Sequence, residues 1–203
     1  MYKIDLRPMS YTPNLIQIDW DFYIDKMESK NDELYHILLQ NRTLLYDTQE
    51  KGNCALQKMP SDTTICHNVL DRKNVLWNGS DFRVIDLECL SYANPFLELF
   101  ETARFWSENQ NCKIDYYLFS ELINSYSSAG GQLPTDWETI YDSSNSKLEW
   151  LEFNLKRVLG IHCSAEESAL GISEARKTIA HIIYDDKARN QIVRFLENQN
   201  LSG

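Results

Sequence analysis

Glycine is scarce in this chain, seven residues in 203, and none precedes Gly52. That excludes a glycine-rich phosphate-cradling loop from the first quarter, because such a loop needs backbone without Cβ where phosphate approaches. Basic residues are also in the minority. Twenty Lys and Arg against thirty Asp and Glu leave a net charge of −10. This argues against nucleic acid and anionic membrane surfaces as partners. Paired cysteines are missing too: Cys54, Cys66, Cys89, Cys112 and Cys163 are scattered singly, with no CxxC. A zinc ribbon or a redox dithiol is not expected, although Cys66-His67 and His162-Cys163 stand adjacent. No apolar run approaches the ~18 residues of a membrane span. The opening MYKIDLRPMS lacks the apolar core of a secretory leader. A reducing cytoplasm is the expected compartment.

What is present is the composition of an ordinary soluble globule, 43% hydrophobic and 25% charged. The length suits one domain with a proper core, or one large lobe of a two-lobed protein. Trp20, Tyr23, Ile24 and Met27 recur at helical spacing, and Leu34, Ile37, Leu38, Leu44 and Leu45 predict one helix near 31–48. KGNCALQKMPSD reads as a loop, marked by Gly52 and Pro60. TTICH then reads as a short strand. Val75–Trp77 and Phe82–Leu87, joined by Asn78-Gly79-Ser80-Asp81, predict a β-hairpin. Beyond Glu88 the pattern is helical. Asn94 and Pro95 supply a cap and a first helical position. A helix stops at Gly130-Gly131, a break is expected near 143–146, and Ser164 with Glu167 forms a capping box. DDKARNQIVRFLENQ reads as a separate last helix. The expected fold is mostly α (α+β), a single domain over 1–203. It divides into a helical lead-in at 1–60, a loop and hairpin at 61–90, and a helical subdomain at 91–203.

The chemistry concentrates around the hairpin. Phosphoryl transfer needs a metal against the phosphates, a carboxylate to hold it, and a group to orient the attacking hydroxyl. His67 and Asn74 bracket a loop between strands, and Asp86 stands at the end of the next strand, flanked by Ile85 and Leu87. A carboxylate in an apolar run must be paired, hydrogen-bonded or metal-bound. The plainer alternative makes Asp86 and Glu88 solvated strand-end residues and Asn74 the start of a turn.

Taken in order, ICHNVLDRKNVLW and FRVIDLECLSYANPFLELF resemble the catalytic segment of the aminoglycoside phosphotransferase and choline kinase family, itself similar to protein kinases. The resemblance runs from Thr64 to Trp106. It implies the C-terminal lobe of a protein-kinase-like phosphotransferase that uses Mg2+ and ATP or GTP. The implied acceptor is a hydroxyl on a small cationic metabolite or antibiotic. His67 then takes the place of the family's architectural histidine. Asn74 and Asp86 take those of its metal- and cofactor-binding asparagine and aspartate. Glu88 matches the next acidic residue, and Glu98 the helix-start aspartate. Val69 stands where the family has its catalytic aspartate, and an isopropyl group neither accepts a proton nor orients a hydroxyl. Asp71 is the possible substitute, displaced by several ångströms at ~3.3 Å per residue. The family's N-terminal nucleotide lobe has no counterpart in the mostly helical stretch before His67. Such a chain is expected to bind nucleotide weakly and to be inactive or very weak, unless a further lobe or a partner chain completes it. The alternatives are a non-catalytic pseudokinase that binds or scaffolds through the same groove, and an unrelated helical interaction protein.

The resemblance also implies an acidic acceptor groove. Glu121, Asp136, Glu138, Asp142, Glu149 and Glu152 fall in the region that would line it, with Trp137, Tyr141 and Trp150 available for cation–π contacts. Glu88, Asp136, Trp137, Glu149 and Trp150 are the candidate substrate residues. The plainer reading turns the acids to solvent and the aromatics into the core. His162 and His181, among apolar helical neighbours, read as core or surface residues rather than bases.

Overall fold

The computed structural model describes residues 14–200; the first part of the expected lead-in lies outside the described residues. Three helices open the described chain: α1 (Trp20–Glu28), α2 (Asp32–Gln40) and α3 (Arg42–Lys58). Asp19 caps α1 by accepting the Phe22 amide, and the expected face, Trp20, Tyr23, Ile24 and Met27, is buried. The single helix expected near 31–48 is two, because Asn41 interrupts it. Its side-chain amide donates to the Ile37 carbonyl at 2.8 Å. That local bond competes with the helical ladder and lets α3 start in a new direction.

The loop expected at 51–62 is mostly helix, since α3 runs on to Lys58. Gly52 weakens helix propensity, but a Cβ there would overlap the Asn145 side chain. Glycine is therefore used for close approach, not for a turn.

Four short strands follow. β1 (Thr64–Cys66) pairs antiparallel with β4 (Ser91–Ala93), and β2 (Val75–Asn78) pairs with β3 (Asp81–Val84). The second pair is the expected hairpin, turned by Gly79 at φ +64. In the first pair β1 is the strand expected from TTICH, while its partner β4 was not legible in the sequence. β3 ends at Val84, earlier than expected. Asp86 follows in the left-handed region, φ 63, leading into a 3-10 turn at Leu87–Cys89.

The helical body is α4 (Pro95–Ser107), α5 (Tyr116–Ser128), α6 (Trp137–Ser143), α7 (Ser146–Val158) and α8 (Ala165–Asn200). Asn94 accepts the Phe96 and Leu97 amides at the start of α4. The break at 143–146 is present. The capping box that opens α8 is made in both directions: Ser164 N–H donates to Glu167, and Glu167 N–H donates to Ser164. The two last helices expected from the sequence are one, 36 residues long. It threads two apolar clusters. Its first half joins α1, α2 and α7 around Trp20, Met27, Leu38 and Leu151. Its second half joins α4, α5 and α6 around Phe100, Phe119, Trp137 and Ile192.

The hairpin belongs to neither cluster. Trp77 is 62% and Phe82 61% exposed, their rings touching only across the strands at 5.5 Å. Among the described residues no helix is long and apolar enough to cross a membrane.

Candidate functional site

β1 delivers the loop whose residues were singled out in the sequence. His67 is buried, and its Nε2 lies 2.9 Å from the Ile85 carbonyl oxygen. That bond ties the loop to the residue before Asp86. Asn68, left-handed at φ 65, turns the chain out of β1. Its side-chain amide is shared among the Cys66 carbonyl at 3.2 Å, the Cys89 carbonyl at 2.6 Å and Ser91 Oγ at 3.0 Å. Its backbone N–H donates to Glu98 at 2.8 Å. Asn74, also buried, donates to the Val69 carbonyl at 2.8 Å, and its own carbonyl accepts the Ile85 N–H at 2.9 Å.

The loop is thus cross-tied at three points to the segment that carries Asp86. Three further bonds fasten it to α4 and its C-cap: Trp106 Nε1 donates to the Leu70 carbonyl, and Arg72 donates to the Phe105 and Glu108 carbonyls.

Below the loop opens a groove of about 640 Å3, bounded by loop residues 68–71 and by α4, α7 and α8. Val69, 46% exposed, is part of its lining, and so is Asp71. Five carboxylates line it, Asp71, Glu98, Glu101, Glu108 and Glu174, against Lys147 and Lys177. The rings of Phe105 and Trp150 are half-exposed on its walls.

Of the candidate substrate residues, Trp150 reaches this groove, while Glu88, Asp136, Trp137 and Glu149 do not line it. Asp136 caps α6 through the Thr139 amide, and Trp137 is buried in the second cluster. Asp142 and Glu138 are occupied with Arg189, and Glu152 accepts the Tyr23 hydroxyl. Tyr141 is buried, its hydroxyl donating to the Asp185 carbonyl. The groove's acids come instead from the loop (Asp71), from α4 and its C-cap (Glu98, Glu101 and Glu108), and from α8 (Glu174).

The floor, where Glu108, Lys147 and His181 line the groove, belongs to a charged cluster completed by Arg104 and Asp185, which the sequence did not announce. Arg104 bonds Glu108 through Nε at 2.8 Å and also Asp185. Lys147 Nζ lies 2.8 Å from Asp185, and His181 Nε2 lies 3.0 Å from Glu108. His181 is therefore set among charges, not in an apolar core. Burial drives the Lys147 ammonium down to about 8, helped by Arg104 and opposed by Asp185 and Glu108. Burial also pushes the Asp185 and Glu108 carboxyls upward. The field of Arg104 and Lys147 on Asp185, and the His181 hydrogen bond with Arg104 on Glu108, more than offset it, so both sit below their usual range. Glu101 goes the other way: its burial outweighs the hydrogen bond from Ser144, and its carboxyl is raised. The residues span 101 to 185, so no local motif could have announced them. The available signal was charged residues recurring on otherwise apolar helical faces.

No family model and no curated protein matches the chain. Among solved structures, a choline kinase from Cryptosporidium parvum Iowa II is similar at 17% identity and a TM-score of 0.43. The likeness covers 88% of this chain and 57% of that one, so the chain spans little more than half of that kinase's length.

Proposed function

We propose that this chain is the acceptor-binding, helical half of a kinase-like phosphotransferase, holding a small cationic molecule beneath Val69 without phosphorylating it unaided. The observation that carries this reading is the loop itself. His67, Asn68 and Asn74 are tied to the segment that carries Asp86, and Val69, standing where the family has its catalytic aspartate, is among the loop residues that line the groove. The resemblance of Thr64–Trp106 to aminoglycoside and choline kinases supports the same reading.

The groove favours a cation. Its carboxylates outnumber its lysines, and field lines concentrate where low-dielectric walls meet one sign of charge. Phe105 and Trp150 offer ring faces, each contributing about 0.5–2 kcal/mol to an ammonium. Asn74 and Asp86 present hard oxygen donors that suit Mg2+. Asn74 has its amide nitrogen committed to the Val69 carbonyl, which leaves its oxygen as the ligand atom. A magnesium ion there would supply charge neutralisation to nucleotide phosphates. ATP or GTP is expected to bind weakly. The sequence has no glycine-rich loop to cradle phosphates, and the hairpin leaves Trp77 and Phe82 uncovered where a nucleotide lobe or partner chain would sit.

Asp71 supports one second reading, because it lines the same groove as Val69. In that reading Asp71 orients the acceptor hydroxyl and the chain turns over slowly.

Calorimetric titration with quaternary amines, amino sugars and matched carboxylic acids tests the groove. Amines should bind tighter, and added salt should weaken them. Equal binding of both classes overturns the cationic acceptor. An ATP and Mg2+ turnover assay on the same amines separates the two readings. No product supports the unaided chain as non-catalytic, whereas turnover abolished by Asp71→Asn assigns the chemistry to Asp71.

A further inference from the structure

Where the groove meets its floor, Glu108, Cys112 and His181 bring a carboxylate oxygen, a thiol sulfur and an imidazole nitrogen within 4.8 Å of one another. We propose that these three side chains bind one zinc ion, with a fourth coordination position open to the groove. This site is separate from Asn74 and Asp86 and does not depend on phosphotransferase chemistry.

The donor set selects the metal. Sulfur and imidazole nitrogen beside one carboxylate suit a borderline-soft cation, whereas Mg2+ and Ca2+ take oxygen. A tetrahedral zinc with bonds of ~2.0–2.3 Å spaces its donors roughly 3.3–3.8 Å apart. Glu108 and His181 are already 3.0 Å apart and Cys112 lies within reach, so small side-chain rotations suffice. Three protein ligands and one open position is the arrangement of reactive or exchangeable zinc sites; structural sites are closed by four.

The scaffold holds the three donors from separate elements. Glu108 follows the last residue of α4, and His181 lies in the middle of α8. Cys112 sits between them on a stitched turn. Its N–H donates to the Asn109 carbonyl, and the Asn109 N–H donates to the Lys113 carbonyl, each at 2.9 Å. The Asn109 side chain accepts from the Asn111 and Lys113 amides, and Glu108 bridges to Ile114. All three donor residues line the groove, so an ion could enter and a fourth ligand could reach it.

Arg104 is the competitor, with Nε 2.8 Å from one Glu108 oxygen and a terminal nitrogen 3.2 Å from His181 Nε2. Zinc takes the His181 contact from it, but the same terminal nitrogen stays bonded to Asp185 and Glu108 has a second carboxylate oxygen, so Arg104 need not leave. On binding, the Cys112 thiol releases its proton to solvent and the sulfur binds as thiolate.

Cobalt titration of the full chain, followed by absorption, tests the site. One equivalent should bring the visible bands of a tetrahedral ion and a thiolate-to-cobalt charge-transfer band, and zinc should displace both. Cys112→Ser should remove the charge-transfer band and weaken zinc about tenfold or more in competition with a chromophoric chelator. Cys54→Ser and Cys163→Ser should change neither. His181→Ala should also abolish binding, with circular dichroism checking that the helices persist; Cys112→Ser decides the matter if they do not. No binding at one equivalent, or a spectrum unchanged by Cys112→Ser, overturns the proposal.

Discussion

The loop at the mouth of the groove and the ion cluster on its floor are held together by different forces. The loop draws His67, Asn68, Asn74 and Asp86 from twenty consecutive residues and binds them mainly through backbone carbonyls and amides. The floor draws Arg104, Glu108, Lys147, His181 and Asp185 from three helices and joins them side chain to side chain. In the loop, Val69 lines the groove and enters the ties only through its backbone carbonyl. Its side chain can change without disturbing the scaffold. On the floor every side chain is bonded to another, so no single one can change alone. A loop of the first kind can exchange a side chain that lines the groove and keep its shape; a cluster of the second kind cannot.

The largest expected effect breaks the floor. Arg104→Met leaves Asp185 and Glu108 buried with reduced compensation, and such losses cost about 3–5 kcal/mol. Urea denaturation followed by circular dichroism measures it. A loss below about 1 kcal/mol would mean that the cluster behaves as an exposed network and that the contrast with the loop is false.

Acid should undo part of the same cluster. Glu108 and Asp185 are held below the ordinary carboxyl range, so the folded chain binds fewer protons than the unfolded one. Their contribution is present above about pH 4.5 and is lost as pH falls through their lowered values. Glu101, raised by burial, takes up its proton earlier and offsets part of the loss. Urea midpoints measured from about pH 6 to about pH 3 should fall, and the fall should flatten in Arg104→Met. An unchanged slope in the variant would remove Arg104 as the cause.

A smaller effect, about 1–3 kcal/mol, is expected where α3 meets the break between α6 and α7. Gly52→Ala drives a methyl into the Asn145 side chain. Stabilisation by the better helix former would show that Asn145 simply swings aside.

The same contrast explains what the sequence disclosed. The hairpin, the Asn94-Pro95 helix start, the α1 face and the capping box were legible, because each rests on residues within a turn or two of one another. The sequence placed His67, Asn74 and Asp86 close together along the chain, and the fold ties His67 and Asn74 to Ile85, the residue before Asp86. What escaped needed contacts across the fold. Gly52 reads as a loop marker until Asn145 is seen against it. The groove's acids were sought on the helices after 115; Glu174 of α8 lies there, but Asp71, Glu98, Glu101 and Glu108 come before it. Cys112 has no CxxC partner, and its companions are a glutamate four residues back and a histidine on α8.

The smallest effect on stability belongs to the residue on which the proposed function turns. Val69 is half-exposed and its backbone carbonyl, which accepts from Asn74, is retained in any substitution. Val69→Asp should therefore shift stability by no more than about 0.5 kcal/mol, as surface changes do. It adds a sixth carboxylate to the groove, so amines should bind slightly tighter at low salt. It should not produce turnover by itself, because a base contributes nothing while the phosphoryl donor is not held in line. Supplying a nucleotide-binding lobe to Val69→Asp should then raise amine phosphorylation by roughly 10²–10⁴-fold over the same assembly with Val69, the usual range for a general base. A variant that unfolds would show that the loop's side chains carry its shape after all. Equal rates with Val69 and Asp in the completed assembly would place the base elsewhere, with Asp71 next to be tested.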